Sequence, residues 1–183
     1  TGLNWGIEQA KLIRRIIINP TNPQILLAAA TDGIWRTVDA GATWVKEQNG
    51  YFMDIEFKPN DPSSIYASTY TFGNDAAVYR STDSGDNFLL VTTIPDSKRI
   101  NIEVTPSNPN RVELLVANAQ FGLQGLWRSS DAGTNFNQYY DGDCSINLLS
   151  NIYDGSSCGG QGYYDLAFTI NPSNANEIWV GGI

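Results

Sequence analysis

Two aspartates, Asp54 in the run FMDIEF and Asp165 in the run YYDLAF, fall on stretches that each read as the first strand of a small β unit. Two carboxylates on inner strands facing one another are the constellation that acid–base cleavage of a glycosidic bond requires. The plainer reading of the same placement is a pair of inward carboxylates solvated in a water-filled channel, and that is the expectation here. A second set of residues suits binding. Tyr153, Asp154, Tyr163 and Tyr164 crowd into the segment DGDCSINLLSNIYDGSSCGGQGYYDLAF, where tyrosines offer flat apolar faces and carboxylates accept bonds from sugar hydroxyls or a partner chain. The other reading of that segment is a loop whose aromatics cover the ends of the strands. Its aspartates Asp141, Asp143 and Asp154 would suit Ca²⁺ by type, but the DGD spacing matches no established calcium loop, so no metal or other cofactor is expected.

Composition narrows the chemistry further. The 183 residues include no histidine, which removes His-based triads, His metal sites and His proton shuttles from this stretch. A net charge of −8 argues against nucleic acid and anionic membrane surfaces as partners. No apolar run approaches the roughly 18 residues of a membrane-spanning helix, so no membrane insertion is expected. The two cysteines, Cys144 and Cys158, sit in a Gly/Ser/Asp-rich segment. In an extracellular protein they favour a disulfide closing that loop, the alternative being two unpaired thiols.

The elements that would hold these residues repeat. RTVDAGATW from Arg36 returns as RSTDSGDNF from Arg80 and RSSDAGTNF from Arg128, and the opening TGLNW has the form of one more copy. Aligned on Gly2, Gly41, Gly85 and Gly133, the copies are spaced like a solenoid or propeller unit. A second marker precedes each full copy: NPTNPQILLAAA from Asn19, KPNDPSSIYAST from Lys58 and TPSNPNRVELLVA from Thr105. NPSNANEIWVGG from Asn171 makes a fourth. Between the markers, short runs of alternating β-branched and aromatic residues predict four strands, A to D, per unit. In the first unit they are Leu12 to Ile18, Gln24 to Ala30, Ile34 to Thr37 and Thr43 to Gln48. Four strands every 40 to 50 residues predict an all-β fold, a partial β-propeller of antiparallel blades with the recurring turn between C and D.

The residue types of that turn follow from its geometry. Asp39, Asp83 and Asp131 can accept backbone N–H groups a few positions on. Gly41, Gly85 and Gly133 suit a positive φ, and Trp44, Phe88 and Phe136 place an aromatic where strand D meets the blade core. Arg36, Arg80 and Arg128 recur three residues before the Asp and read as scaffold. The pattern resembles the Asp-box, or BNR repeat, of sialidase-like β-propellers, with Asn-Phe in place of Thr-Trp in two copies. The resemblance implies the fold and leaves activity open, since hydrolases, receptors and assembly factors share it. More loosely, GGQGYYDLAFTINPSNANEIWVGGI resembles stretches in large type IX-secreted surface proteins of Gram-negative bacteria. That implies a secreted or cell-surface location, and secretion or outer-membrane surface proteins as partners.

The expected arc comprises residues 1–9 as the last strand of a preceding blade, blades at 10–49, 50–94 and 95–141, an inserted loop at 142–162, and half of a further blade at 163–183. Other blades of a longer polypeptide would complete a ring of six to eight. In such a blade the A–B and C–D turns share one face, and the variable B–C and D–A connections share the other, where function is expected. A sialidase needs three converging arginines. Arg14, Arg15, Arg99 and Arg111 are those not used by the repeat, and they do not supply three on the required face. The expectation is therefore a non-catalytic extracellular propeller presenting loops to a glycan or protein ligand. A xyloglucanase-like or sialidase-like glycoside hydrolase is the alternative.

Overall fold

The computed structural model describes residues 11–73 and 75–181, together with Leu3. Gly2 and Trp5 of the opening copy lie outside the described residues. Three antiparallel four-stranded sheets follow one another, each with its strands in chain order. The first holds β1 (Ile13–Ile18), β2 (Leu26–Ala30), β3 (Gly33–Thr37) and β4 (Val45–Gln48). The second holds β5 (Phe52–Phe57), β6 (Ile65–Thr69), β7 (Ala76–Ser81) and β8 (Leu89–Ile94). The third holds β9 (Ser97–Val104), β10 (Val112–Asn118), β11 (Leu123–Ser129) and β12 (Asn137–Asp141), and the hairpin β13 (Ala167–Ile170) and β14 (Ile178–Gly181) comes after it. The first strands β1, β5, β9 and β13 pack side by side in succession. This is an arc of a β-propeller, with strand A of each blade innermost.

The core lies between blades. Leu27, Ala29 and Ile34 of the first sheet pack on Phe52, Ile55, Ile65, Ala67 and Phe88. Tyr66, Ala76 and Val78 of the second pack on Ile100, Ile102, Val112, Leu114 and Val116. Leu115, Ala117 and Leu123 of the third pack on Leu166 and Phe168 beyond it, with Leu149 of the intervening loop wedged between. In the second and third sheets strand B is therefore covered on both faces, and IYAS in β6 and VELLVA in β10 read as continuous buried runs where alternation was expected. The outermost strand β12 is exposed along its whole length.

All three complete recurring turns close by one hydrogen-bond pattern. The hydroxyls of Thr37, Ser81 and Ser129 each donate to the Asp two residues on at 2.7 Å, and accept from the backbone N–H of Gly41, Gly85 and Gly133. The backbone N–H groups of Thr43, Asn87 and Asn135 donate to the same carboxylates, as do their side chains. Asparagine thus replaces threonine as a donor, which accounts for the Asn of the Asn-Phe copies. The glycines have φ of 91°, 84° and 76°, and the preceding Ala40, Ser84 and Ala132 are left-handed as well.

The repeated arginines reach the next blade. Arg36 Nε donates to the Ser84 carbonyl at 2.9 Å, and Arg80 donates to Thr134 Oγ1 at 3.1 Å. Arg128 turns back instead. Its Nε and that of Arg111 both lie 2.5 Å from Glu113 Oε1, and Glu113 is fully buried where the first two blades have Leu27 and Tyr66.

Candidate functional site

On the inner strands, Asp54 is not a solvated carboxylate. It is 3% exposed, and its Oδ1 accepts from Arg15 Nη1 of β1 at 2.7 Å and from the Ile55 N–H at 3.0 Å. Its Oδ2 accepts from the Ile102 N–H of β9 at 2.8 Å. One side chain thereby ties three blades together, and its acceptors are directed at fixed donors rather than at a channel. Asp165 is exposed and precedes β13 rather than lying on a strand, because strand pairing there begins at Ala167. The opposed, solvated pair anticipated from the sequence is thus replaced by a buried clamp and a separate surface carboxylate.

The carboxylates that neighbour Asp54 are Glu56 and Glu103, which sequence reasoning missed. Glu56 follows Asp54 by two on β5 and so shares its side of the strand, where Arg15 Nη2 bonds it. Burial pushes Glu56 up to about 8, against the pull of Arg15 and with the like charges of Asp54 and Glu103 adding to it. Burial, followed by the charge of Asp54, pushes Glu103 up to about 7. Three acids around one guanidinium can hold a proton near neutrality.

On the variable face, aromatic side chains from four connections meet. Tyr51 enters from the loop before β5, Tyr70 and Phe72 from the loop after β6, Phe121 from the β10–β11 loop, and Tyr163 and Tyr164 from the return of the long insertion. Ring centroids are 5.1 Å apart for Tyr51–Tyr70 and for Tyr70–Phe72, 5.4 Å for Tyr70–Tyr163, 5.7 Å for Phe121–Tyr163 and 4.6 Å for Tyr163–Tyr164. Most of these pairs are edge-to-face, the arrangement favoured by the ring quadrupole. Tyr70 is buried and holds the centre, while Phe72 and Tyr164 are 81% and 75% exposed.

Two inner-strand arginines underlie the rings. Arg14 of β1 bonds the Tyr51 hydroxyl, and its guanidinium lies 5.5 Å from that ring's centroid. Arg99 of β9 donates to the carbonyls of Gly162 and Tyr163 at 3.2 and 2.6 Å, fixing the tyrosine pair in place. The Nε atoms of both arginines are buried without a hydrogen-bond partner.

The insertion itself is built against the β10–β11 loop. Cys144 and Cys158 form a disulfide. Asn147, buried, donates to the carbonyls of Ser157 and Gly159 and accepts from the N–H groups of Leu123 and Leu149. A Cβ at Gly122 would fall 2.1 Å from the Cys158 carbonyl, so the two loops touch backbone to backbone. Of the four predicted binding residues, Tyr163 and Tyr164 join the aromatic surface. Tyr153 and Asp154 do not contact it. Tyr153 is fully exposed at the loop's far end beside Ile146, Leu148 and Ile152, and Asp154 closes a local turn by accepting from the Ser156 N–H and hydroxyl. Tyr51, Tyr70, Phe72 and Phe121 lacked a signal of spacing, since they come from three different loops.

No family model and no curated protein matches the chain. Solved structures share its fold. An ancestral GH74 enzyme aligns with 92% of the chain at TM-score 0.67 and 15% identity, over 21% of its own length. The GH74 xyloglucanase from Xanthomonas campestris aligns with 92% at TM-score 0.62 and 16% identity, over 27% of its length. The NanB sialidase from Streptococcus pneumoniae aligns with 93% at TM-score 0.53 and 16% identity, over 30% of its length. The chain thus spans less than a third of each of these proteins, and the likeness is one of β-propeller fold.

Proposed function

We propose that this chain is a module of a larger secreted or cell-surface protein that binds a glycan or protein ligand through the loops of its variable face, without catalysing a reaction. The observation that carries the reading is the joined surface of six aromatic rings, assembled from four connections and held from below by Arg14 and Arg99. Exposed aromatics of this size are costly to leave in water and well suited to stacking on a ligand. The disulfide supports an oxidising, extracellular setting. Further blades of the same polypeptide are the partners of the open edges of the arc.

A glycoside hydrolase is the second reading, favoured by the carboxyls of Glu56 and Glu103 near neutrality and by the hydrolases among the similar folds. The intact protein incubated with a glycan array, followed by mass analysis of the retained glycans, separates the two. Retention of unaltered ligand fits the binding module. Cleaved ligand, with cleavage lost in Glu56→Gln or Glu103→Gln, would establish the hydrolase.

A further inference from the structure

The recurring arginine of strand C meets an acid in the first and third blades and not in the second. Arg36 Nη1 lies 3.1 Å from Asp86 Oδ1 of the next blade and 3.7 Å from Glu47 Oε1 of its own outer strand. Arg128 Nε lies 2.5 Å from Glu113 Oε1. Arg80 makes no ion pair among the described residues, and its protein acceptor is the Thr134 hydroxyl, 3.1 Å from Nη1. The register explains the difference. Arg36 pairs with Val45 and Arg80 with Leu89, so Val91 takes the place that Glu47 holds, two residues along the outer strand. Thr134, after Gly133, takes that of Asp86, after Gly85. The Ala132 carbonyl is the counterpart of the Ser84 carbonyl that receives Arg36 Nε, and it accepts from the Tyr66 hydroxyl instead. Arg80 Nε is left buried without an acceptor and out of a ligand's reach, so the terminal nitrogens are what a ligand can meet.

Arg80 lines a cavity of about 490 Å³ at the rim between the second and third recurring turns. Thr134, which Nη1 bonds, stands on the wall beside Gly133, and Leu89, Leu90 and Val91 of β8 form the apolar side. Both leucines are exposed. At the matching positions β4 carries Val45, Lys46 and Glu47, and β12 carries Asn137, Gln138 and Tyr139. The blade that lacks the acid is therefore also the one whose outer strand is wholly aliphatic there. The cavity's own carboxylate, Asp83, accepts from the Ser81 hydroxyl and from the N–H and amide of Asn87, and pairs with no arginine. The net charge of −8 opposes an acidic ligand at a distance, but screening limits that reach to about 8 Å at physiological salt. A ligand that completes the site brings a carboxylate to where Glu47 and Asp86 stand in the first blade, with aliphatic groups to lie on the leucines. In the first blade that carboxylate comes from polypeptide side chains, and an acidic residue between aliphatic ones carries both features. We infer that the Arg80 cavity is a second binding site, on the face opposite the aromatic rings, for an acidic polypeptide segment. Its Glu or Asp side chain pairs with the Arg80 guanidinium while the aliphatic neighbours cover Leu89 and Leu90.

The test is an amide NMR titration of the protein with acetyl-Ser-Leu-Glu-Leu-Ser-amide and with its Gln counterpart, which keeps the shape and removes the charge. The Glu peptide should bind about tenfold more tightly, the range of one charge-assisted hydrogen bond, and should move the amides of residues 80, 89–91 and 133–134. The preference should shrink in high salt. Val91→Glu restores within the cavity the acid that the first blade has. It should weaken the Glu peptide about tenfold while the spectrum stays that of the folded protein, and Arg80→Gln should remove the preference for Glu. Equal binding of the two peptides would overturn the carboxylate assignment. A Glu preference that survives Val91→Glu, or shifts confined to the aromatic face, would overturn the site while leaving the variable-face reading in place. Binding of neither peptide, with hexanoate moving the same amides, would overturn the polypeptide ligand in favour of a small acid. No response to any of these probes would overturn the cavity as a binding site.

Discussion

Alanine at Gly133 should destabilise the protein far more than alanine at Gly41, although both glycines close the same turn. The left-handed backbone penalises a Cβ at either position by about 1 kcal/mol, since φ is 91° at Gly41 and 76° at Gly133. The surroundings differ. At Gly41 the new Cβ would have Trp44 ring atoms as its nearest neighbours at 3.7 Å, an ordinary contact. At Gly133 it would fall 2.5 Å from Cε1 and 3.0 Å from Cδ1 of Tyr66, a fully buried ring of the preceding blade. That ring is also anchored by its hydroxyl, which donates to the Ala132 carbonyl at 3.1 Å. Moving it adds about 1–3 kcal/mol of overpacking and forfeits a hydrogen bond of about 1 kcal/mol. The expected losses are about 1 kcal/mol for Gly41→Ala and about 3–5 kcal/mol for Gly133→Ala. Gly85→Ala falls between them, because the atoms it meets are the movable methyls of Leu27 and Ile65. Urea unfolding of the three variants measures the series. Equal losses at Gly41 and Gly133 would refute the claim that the turn glycine is also a contact between blades.

Further outcomes follow from the inner strands and the insertion. Asp54→Asn places an amide N–H₂ against the Ile102 N–H or Arg15, and should cost about 3–5 kcal/mol in chemical denaturation; an unchanged midpoint would contradict the clamp. Stability should fall as pH rises from about 4.5 to about 8, because folded Glu56 and Glu103 keep protons that the unfolded chain has released. Glu103→Gln should flatten that limb. On the acid side, the hydroxyl and N–H of Thr43 hold Asp39 at about 2, so the stability it contributes is present above the ordinary 3.8 and is lost as pH falls toward 2. Melting temperature against pH therefore peaks in mildly acidic solution, and a flat profile would contradict the assignment. Reducing Cys144–Cys158 should cost the insertion about 3 kcal/mol of loop-closure entropy while leaving the blades folded, seen as faster amide exchange confined to residues 142–162.

The fold was legible because its signal is written several times over. A turn that needs a hydroxyl, a carboxylate and a glycine at fixed offsets leaves the same residues in every copy, and strand periodicity fills the interval between copies. The hydroxyl of Thr37, Ser81 or Ser129 is the central atom of each turn, a role that its recurrence in the sequence does not by itself assign. Strands β6 and β10 depart from alternation because neighbouring blades cover both their faces, a property of the assembly and not of the strand. The site was legible only where one loop carried it. Tyr163 and Tyr164 lie in the segment that interrupts the repeat, whereas Tyr51, Tyr70, Phe72 and Phe121 become neighbours only when four connections converge. Asp54 was placed on the correct strand and given the wrong environment, because nothing local announces that Arg15, 39 residues earlier, and Ile102, 48 later, supply its partners.

The proposed function requires that the aromatic surface bind a ligand and leave it chemically unchanged. The most direct measurement is the affinity of the protein for a glycan or protein it retains, compared with that of the Phe72→Ala/Tyr164→Ala variant, with the ligand recovered and weighed afterwards. Both side chains are largely exposed, so the variant should keep its unfolding midpoint. A binding surface of this kind loses at least about tenfold in affinity and releases an intact ligand. Undiminished binding by the variant, or a ligand recovered in pieces, would contradict it.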